Sequence, residues 1–481
     1  MLTENPKNNR FPENINHIHF MGICGTGMGS LAGMLKEQGF LLTGSDQAVY
    51  PPMSTFLSSL GIPIREGYSA SNLTPPPDLV IVGNVITRIN PEAQELIRLG
   101  LPYLSLPQAL AHFFLKNRRT AVIAGTHGKT TTSALLASVL DQAGFSPGFM
   151  IGGILRGFER NYQVGQGTAF VIEGDEYDTA FFDKGPKLLH YQPYYAVLTS
   201  IEFDHADIYR DLQSIQEAFA RFLALIPEEG LLSAYGPDPR IREILPKASC
   251  PVETYGLEEN WDWQLTDLKI DRMGATFSVF YRREFFHSFR IPLAGRHNAL
   301  NCLSLIPVLS RLDIGPGIIA QGLSSFQGVH RRQEVRGIQA GVTVIDDFAH
   351  HPTAVRETIQ ALHAQYQGQR LIAVFEPRTN TSRRQVFQKE YTGSFSGADL
   401  VIIREPPDLS KIPEGERFSS LQLVEDLSAA GQKAAYFSNT DDILFYLLEE
   451  LRKDDVVLVM SNGGFDSIHE RLLEKLKALS S

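Results

Sequence analysis

Thr120–Ala124 is a short apolar run that breaks into Gly125-Thr126-His127-Gly128-Lys129-Thr130 and resumes as a helix-length stretch ending near Gly144. A strand, a glycine turn and a helix in that order aim backbone N–H groups and the positive helix end at one point, which suits the phosphates of a nucleotide. The Lys129 ammonium can meet β- and γ-phosphates, and the Thr130 hydroxyl can hold Mg²⁺. The general form of this loop has Gly where Ile123 stands, so the loop is a shortened one. Packing alone gives a Gly-Lys-Thr-Thr-Thr run no reason to exist at a strand-to-helix turn.

The text on either side fits a parallel sheet covered by helices. Apolar runs at Ile18–Ile23, Leu79–Val82, Ala169–Glu173, Ala196–Ile201, Val342–Ile345, Leu371–Phe375, Leu400–Ile403 and Val456–Met460 read as strands. Amphipathic stretches at Gly29–Gln38, Thr130–Gln142, Leu212–Leu225, Ala299–Leu309, Thr353–Ala364 and Ile443–Leu451 read as helices, and the class is α/β. Between Trp261 and Phe289 the pattern changes to alternating β-type residues, which predicts an antiparallel hairpin turning at Met273-Gly274. With 481 residues the chain exceeds one core. Breaks near Lys116–Arg119 and Gly328–Gly337 predict three domains, 1–117, 118–332 and 333–481, the hairpin being an appendage of the second.

The net charge of −10 offers no general attraction for nucleic acid or anionic lipid, so any phosphate must be met locally. No apolar run reaches the roughly 18 residues of a membrane helix, and the polar opening lacks a signal region; a cytoplasmic protein that binds neither membrane nor nucleic acid is expected. Cys24, Cys250 and Cys302 show no metal-type spacing.

A second glycine loop lies near the start, where Gly22, Gly25, Gly27 and Gly29 follow a strand. It has the outline of a dinucleotide site, with Asp46 placed as a ribose-binding acid, but the third glycine of that pattern falls on Ser30. A tight structural turn is the other reading. Past the phosphate loop, Glu173 ends an apolar strand with Asp175, Glu176 and Asp178 beside it, where a metal-binding acid belongs. Asp204, His205 and Asp207 follow the next strand, at the functional edge of a parallel sheet.

The order GxxGxGxG, GTHGKTT, EGDEYD, FDHADIY, GRHNALN, GVHRRQE and DDFAHHPT resembles the Mur ligase family from the first strand to the C-terminus. The resemblance implies Rossmann-like first and last domains around a central P-loop ATPase domain. It further implies a ligase that joins an amino acid or peptide to a UDP-muramoyl carboxylate while ATP is cleaved to ADP and phosphate. Val49–Thr55, Asp183-Lys184, Glu376–Thr381 and Met460–Phe465 resemble the branch that recycles peptidoglycan by adding the tripeptide L-alanyl-γ-D-glutamyl-meso-diaminopimelate to UDP-N-acetylmuramate. The branch that adds L-alanine is the alternative.

On this resemblance Gly22, Gly25, Thr26, Gly27, Ser45, Asp46 and Asn84 hold the UDP sugar. Gly125, Thr126, His127, Gly128, Lys129, Thr130, Thr131, Asn298, Arg332 and Asp346 bind ATP. Thr130, Glu173 and His205 bind Mg²⁺, and Lys129, His205 and Arg332 are the catalytic set. His350, Arg378, Asn380 and Asn462 receive the peptide; Arg378 is either a carboxylate clamp or one half of a surface ion pair. Several family members carry a carbamylated lysine after the FDH segment, yet Ala206–Glu229 contains no lysine. A monomer or weak homodimer is expected.

Overall fold

The computed structural model describes residues 8–206, 208–257, 260–410 and 412–479. By their contacts they form two compact units, one of Met1–Ile154, Phe158–Ile201 and Gln213–Glu253, the other of Leu155–Gly157, Glu202–Leu212 and Thr254–Ser481. The expected Asp207 lies outside the described residues.

The described residues of the first unit contain two larger sheets and a two-stranded hairpin. β1 (His17–Met21), β2 (Leu41–Asp46), β3 (Ile64–Glu66), β4 (Leu79–Val82) and β5 (Tyr103–Ser105) lie in the order β3-β2-β1-β4-β5. All these pairings are parallel. The strand order reverses at β1, so the crevice beyond its carboxyl end is the place where such sheets take ligands. The predicted strand Ile18–Ile23 stops at Met21, because Gly22 turns the chain with φ 81°. The helix after it runs Thr26–Glu37, three residues earlier than its apolar periodicity alone suggests.

The second sheet is built on β6 (Arg119–Ala124), β7 (Gly148–Leu155), β8 (Arg160–Gln163) and β9 (Ala169–Gly174). A small hairpin, β10 (Asp178–Ala180) with β11 (Asp183–Pro186), stands apart from it. β12 (Tyr195–Leu198) and β13 (Leu231–Tyr235) complete the order β13-β12-β6-β9-β7-β8 within this unit. The core of β6 and β9 is almost dry, with Val122, Ile123, Phe170 and Val171 all at 0% exposure, as a strand covered on both faces requires. The predicted strand Ala196–Ile201 ends at Leu198; Thr199 and Ser200 bend away to hold the phosphate loop.

In the second unit the end of β14 (Val252–Gly256) pairs with β15 (Trp263–Asp271), followed by β16 (Gly274–Tyr281) and β17 (Glu284–Ile291). The predicted hairpin is thus a three-stranded meander. Its first turn is near Met273 as expected; its second, at Arg282-Arg283, has both residues at positive φ, and no glycine marks it in the sequence. The C-terminal sheet has the order β18-β19-β23-β20-β21-β22. Its strands are β18 (Glu334–Gln339), β19 (Val342–Asp347), β20 (Leu371–Phe375), β21 (Leu400–Arg404), β22 (Ala434–Phe437) and β23 (Val456–Met460). β18 is antiparallel to β19, and the other pairings are parallel. Buried side chains fill both faces of this sheet.

Candidate functional site

The phosphate loop follows β6 and leads into the helix Lys129–Gln142. Gly125 has φ 125°, and a Cβ there would run into Thr199 Oγ1 and the Ser200 backbone, so only glycine lets the two strand ends approach. The Thr126 N–H donates to the Ser200 carbonyl at 3.0 Å, the His127 N–H to Ser200 Oγ at 3.1 Å, and Thr199 Oγ1 to the His127 carbonyl at 2.6 Å. Thr199 and Ser200 therefore fix the shape of the loop. No glycine or charged motif marks them in the sequence; their only signal is a Thr-Ser pair at the end of a parallel strand.

Three acids stand near the loop, Glu173 at the end of β9 and Asp175 and Glu176 just after it. Thr130 Oγ1 donates to Glu173 Oε2 at 3.0 Å, and the Gly152 N–H donates to Glu173 Oε1 at 2.5 Å. Lys129 Nζ donates to the Gly125 carbonyl at 2.7 Å and to Glu176 Oε2 at 2.8 Å. Burial works against the Lys129 charge, but Glu176, Asp175 and Glu173 outweigh it and raise the pKa. Lys187 lies beyond, 3.7 Å from Asp175 and 4.0 Å from the centre of the Tyr177 ring. Here burial dominates and the pKa is lowered, with Asp175 and its acidic neighbours opposing. The acid cluster is thus a paired, largely buried assembly and not a solvated loop.

The first glycine loop sits at the carboxyl ends of β1, β2 and β4. The Gly22 N–H bonds the Ser45 carbonyl at 2.8 Å, and Asp46 Oδ2 accepts from the Cys24 N–H at 2.8 Å. Asp46 therefore shapes the loop from within. Ser45 turns its side chain into the core, at 0% exposure, and donates to Glu92 Oε1 at 2.8 Å. Gly25, Thr26 and Asn84 are exposed, and Gly27 is half-buried. Burial, with Asp46 adding to it, pushes the Cys24 thiol up to about 11.

In the second unit the segment after Glu202 is tied to the start of the helix Pro352–Gln365. Thr353 Oγ1 donates to Glu202 Oε2 at 2.7 Å, His351 Nε2 lies 3.3 Å from the Phe203 carbonyl, and the His351 ring caps the helix. His205 has φ 53°, and its N–H donates to Asp204 Oδ1 at 2.7 Å. Burial raises the Asp204 pKa, but His205, His350 and His351 more than reverse this and bring it to about 2. The structure thus draws His205 and His350 toward one carboxylate, although the sequence assigned them to different ligands.

Arg332 and Arg331 both stack on Phe348, at 4.8 and 5.1 Å. Arg331 also donates to the Ser461 and Gly463 carbonyls, at 2.5 and 2.6 Å. Asp346 is buried, 3.3 Å from His469 and 3.5 Å from Arg331. Burial opposes its ionisation, but His469 and Arg331 prevail and hold its pKa low. Asn298 is buried as well, and its carboxamide donates to the Ala294 carbonyl at 2.8 Å.

At the carboxyl ends of β20, β21 and β23, Glu376 has no exposure; Arg404 donates to it at 2.5 Å and Ser461 Oγ at 2.7 Å. Arg378 lies 3.5 Å from Glu376 with 42% of its side chain exposed, so the ion pair leaves part of the side chain open to solvent. It lies directly across Gly463, where a Cβ would strike its side chain. Asn462 Oδ1 is buried without a hydrogen-bond partner among the described residues. Asn380 accepts from Arg383 at 2.9 Å, and His350 Nδ1 is 3.0 Å from the Phe348 carbonyl.

Comparison with known proteins places these features in one lineage. Residues 17–118 match the model described as Mur ligase family, catalytic domain; residues 123–309 the Mur ligase middle domain; and residues 331–463 the Mur ligase, glutamate ligase domain. The UDP-N-acetylmuramate–L-alanyl-γ-D-glutamyl-meso-2,6-diaminoheptandioate ligase of Escherichia coli K12 is 40% identical over 95% of this chain and 98% of its own. The UDP-N-acetylmuramate–L-alanine ligase of Caldanaerobacter subterraneus is 33% identical over 97% of this chain and 99% of its own. A crystal structure of a murein peptide ligase from Psychrobacter arcticus superposes with a TM-score of 0.70 at 34% identity, covering 96% of this chain and 99% of that one. The chain belongs to the Mur ligase family.

Proposed function

We propose that this protein joins the tripeptide L-alanyl-γ-D-glutamyl-meso-diaminopimelate to the lactoyl carboxylate of UDP-N-acetylmuramate, with ATP cleaved to ADP and phosphate, in the recycling of peptidoglycan. It is an ATP-dependent, ADP-forming ligase. The observation that carries the choice of substrate is the identity to the E. coli tripeptide ligase, 40% against 33% for the alanine ligase, at nearly equal coverage of this chain. No helix among the described residues is long and apolar enough to cross a membrane.

A carboxylate is a poor acyl donor, so its oxygen attacks the γ-phosphorus of ATP; ADP leaves and an acyl phosphate forms. Lys129 passes from Glu176 to the phosphates and stabilises the charge in transfer. Thr130 and Glu173 fit Mg²⁺, because a hydroxyl and a carboxylate 3.0 Å apart at the loop mouth are the hard oxygen donors that this ion takes. Bound there, the ion would neutralise phosphate charge. The α-amine of the peptide's L-alanine, once deprotonated, attacks the acyl carbon; phosphate leaves and the amide remains. His205 is assigned as a further metal ligand or the proton acceptor.

We further assign Asn298 to adenine, Arg332 to the phosphates and Asp346 to the ribose. Arg378 takes a peptide carboxylate through its guanidinium, with His350, Asn380 and Asn462 around it. The three ligands are divided among residues 1–117 for the nucleotide sugar, 118–332 for ATP and 333–481 for the peptide. ADP release measured with each substrate omitted in turn tests the scheme: turnover requires nucleotide sugar and peptide together. Full ADP release without either would show an ATPase instead.

A further inference from the structure

The first glycine loop offers backbone N–H donors and no cationic side chain of its own. No lysine or arginine stands between Met21 and Leu35, and the Asp46 carboxylate borders the loop, accepting from the Cys24 and Ala48 N–H groups at 2.8 and 3.2 Å. An anion at the N-terminus of the helix Thr26–Glu37 gains from the helix dipole but meets Asp46 close by. A neutral side-chain donor over the turn would add to the backbone donors without bringing further negative charge.

Tyr68, in the segment after β3, stands there. Its ring packs, half-buried, against the cluster of Met21, Leu73, Val80 and Ile86. Its hydroxyl lies 3.7 Å from the point a Cβ on Gly22 would occupy, directly over the turn. The Gln47 N–H faces the phenol oxygen, and among the described residues no acceptor takes the hydroxyl proton. Burial first, then Asp46, Glu92 and Cys24, push its ionisation up to about 12, so the group is an intact O–H donor at any working pH.

We propose that Tyr68 contacts the ligand in this crevice, donating its hydroxyl to the diphosphate of the nucleotide sugar. The proposal rests on the reading of the first glycine loop as the UDP-sugar site. A hydrogen bond to a charged oxygen is the class whose loss is costly, so Tyr68→Phe, which keeps the ring and its packing, weakens a diphosphate ligand by about tenfold or more.

Isothermal titration of the full chain and of Tyr68→Phe with UDP-N-acetylmuramate, UDP and uridine separates the contributions. The expected result is an about tenfold loss for both diphosphates, with uridine and ATP binding unchanged. Equal diphosphate affinity in the two proteins overturns the proposal. So does an equal loss for uridine and UDP, which would trace the effect to packing. If the unaltered protein binds neither UDP ligand, the reading of the crevice falls, and this proposal with it.

Discussion

Lys129 Nζ lies 2.8 Å from Glu176 Oε2, and the two side chains are 12% and 3% exposed. The cation of the phosphate loop is therefore held by an acid from the neighbouring strand end before any phosphate arrives. Removing one partner of a buried pair leaves the other uncompensated, at a cost of about 3–5 kcal/mol. Glu176→Gln is expected to lower the Tm of the nucleotide-free protein and to tighten metal-free ATP binding by about tenfold, since a competing anion is gone. Unchanged or weaker ATP binding by calorimetry would mean that Glu176 positions Lys129 and does not compete for it. Lys129→Ala should lose about 10²–10³ in kcat, the scale of one missing charge-stabilising donor.

Gly125 is expected to tolerate no side chain. At φ 125°, with the Thr199 hydroxyl and Ser200 backbone against it, Gly125→Ala should cost about 1–3 kcal/mol or force the loop open. Denaturant unfolding and ATP titration together check this, and a variant with normal stability and normal ATP affinity would contradict the loop geometry.

Arg378 and Gly463 make a linked pair of tests. Gly463→Ala pushes the Arg378 side chain off the loop without touching its charge, while Arg378→Gln removes the charge. Both should raise the KM for the peptide by about tenfold or more, the scale of a charge-assisted bond, and leave the KM for ATP unchanged. If neither moves the peptide KM, Arg378 serves only its ion pair with Glu376.

Cys24 is half-buried in the first glycine loop, and Cys250 and Cys302 are buried. With its thiol pushed up to about 11 by burial and Asp46, Cys24 carries little thiolate at neutral pH, which is the reactive form. Alkylation by iodoacetamide should be slow at pH 7 and accelerate about tenfold per pH unit up to that value. Bound nucleotide sugar should protect it. Fast labelling at neutral pH, followed by mass spectrometry of the peptide, would contradict the assigned environment.

Much of this was legible in the sequence because periodicity and glycine loops act locally. The strands of the parallel sheets, Lys129 and Thr130 in the phosphate loop, and Glu173 at the end of β9 all follow from a run and its break. What escaped depends on pairing at a distance. The Arg282-Arg283 turn uses positive φ without glycine, so nothing in the local pattern separates β17 from the strand before it. Ser45 carries no sign that its hydroxyl faces Glu92, 47 residues away. Thr199, Ser200 and Tyr68 matter because of what lies opposite them. The gathering of His205, His350 and His351 around Asp204 likewise joins segments some 145 residues apart (204 to 350), beyond the reach of any local pattern.

The central test is a competition. The protein is incubated with ATP, Mg²⁺ and UDP-N-acetylmuramate, with equal concentrations of L-alanine and L-alanyl-γ-D-glutamyl-meso-diaminopimelate, and the products are read by mass spectrometry. UDP-muramoyl-tripeptide formed in step with ADP is the expected result. UDP-muramoyl-alanine as the main product, with the tripeptide left unligated, would contradict the proposed reaction.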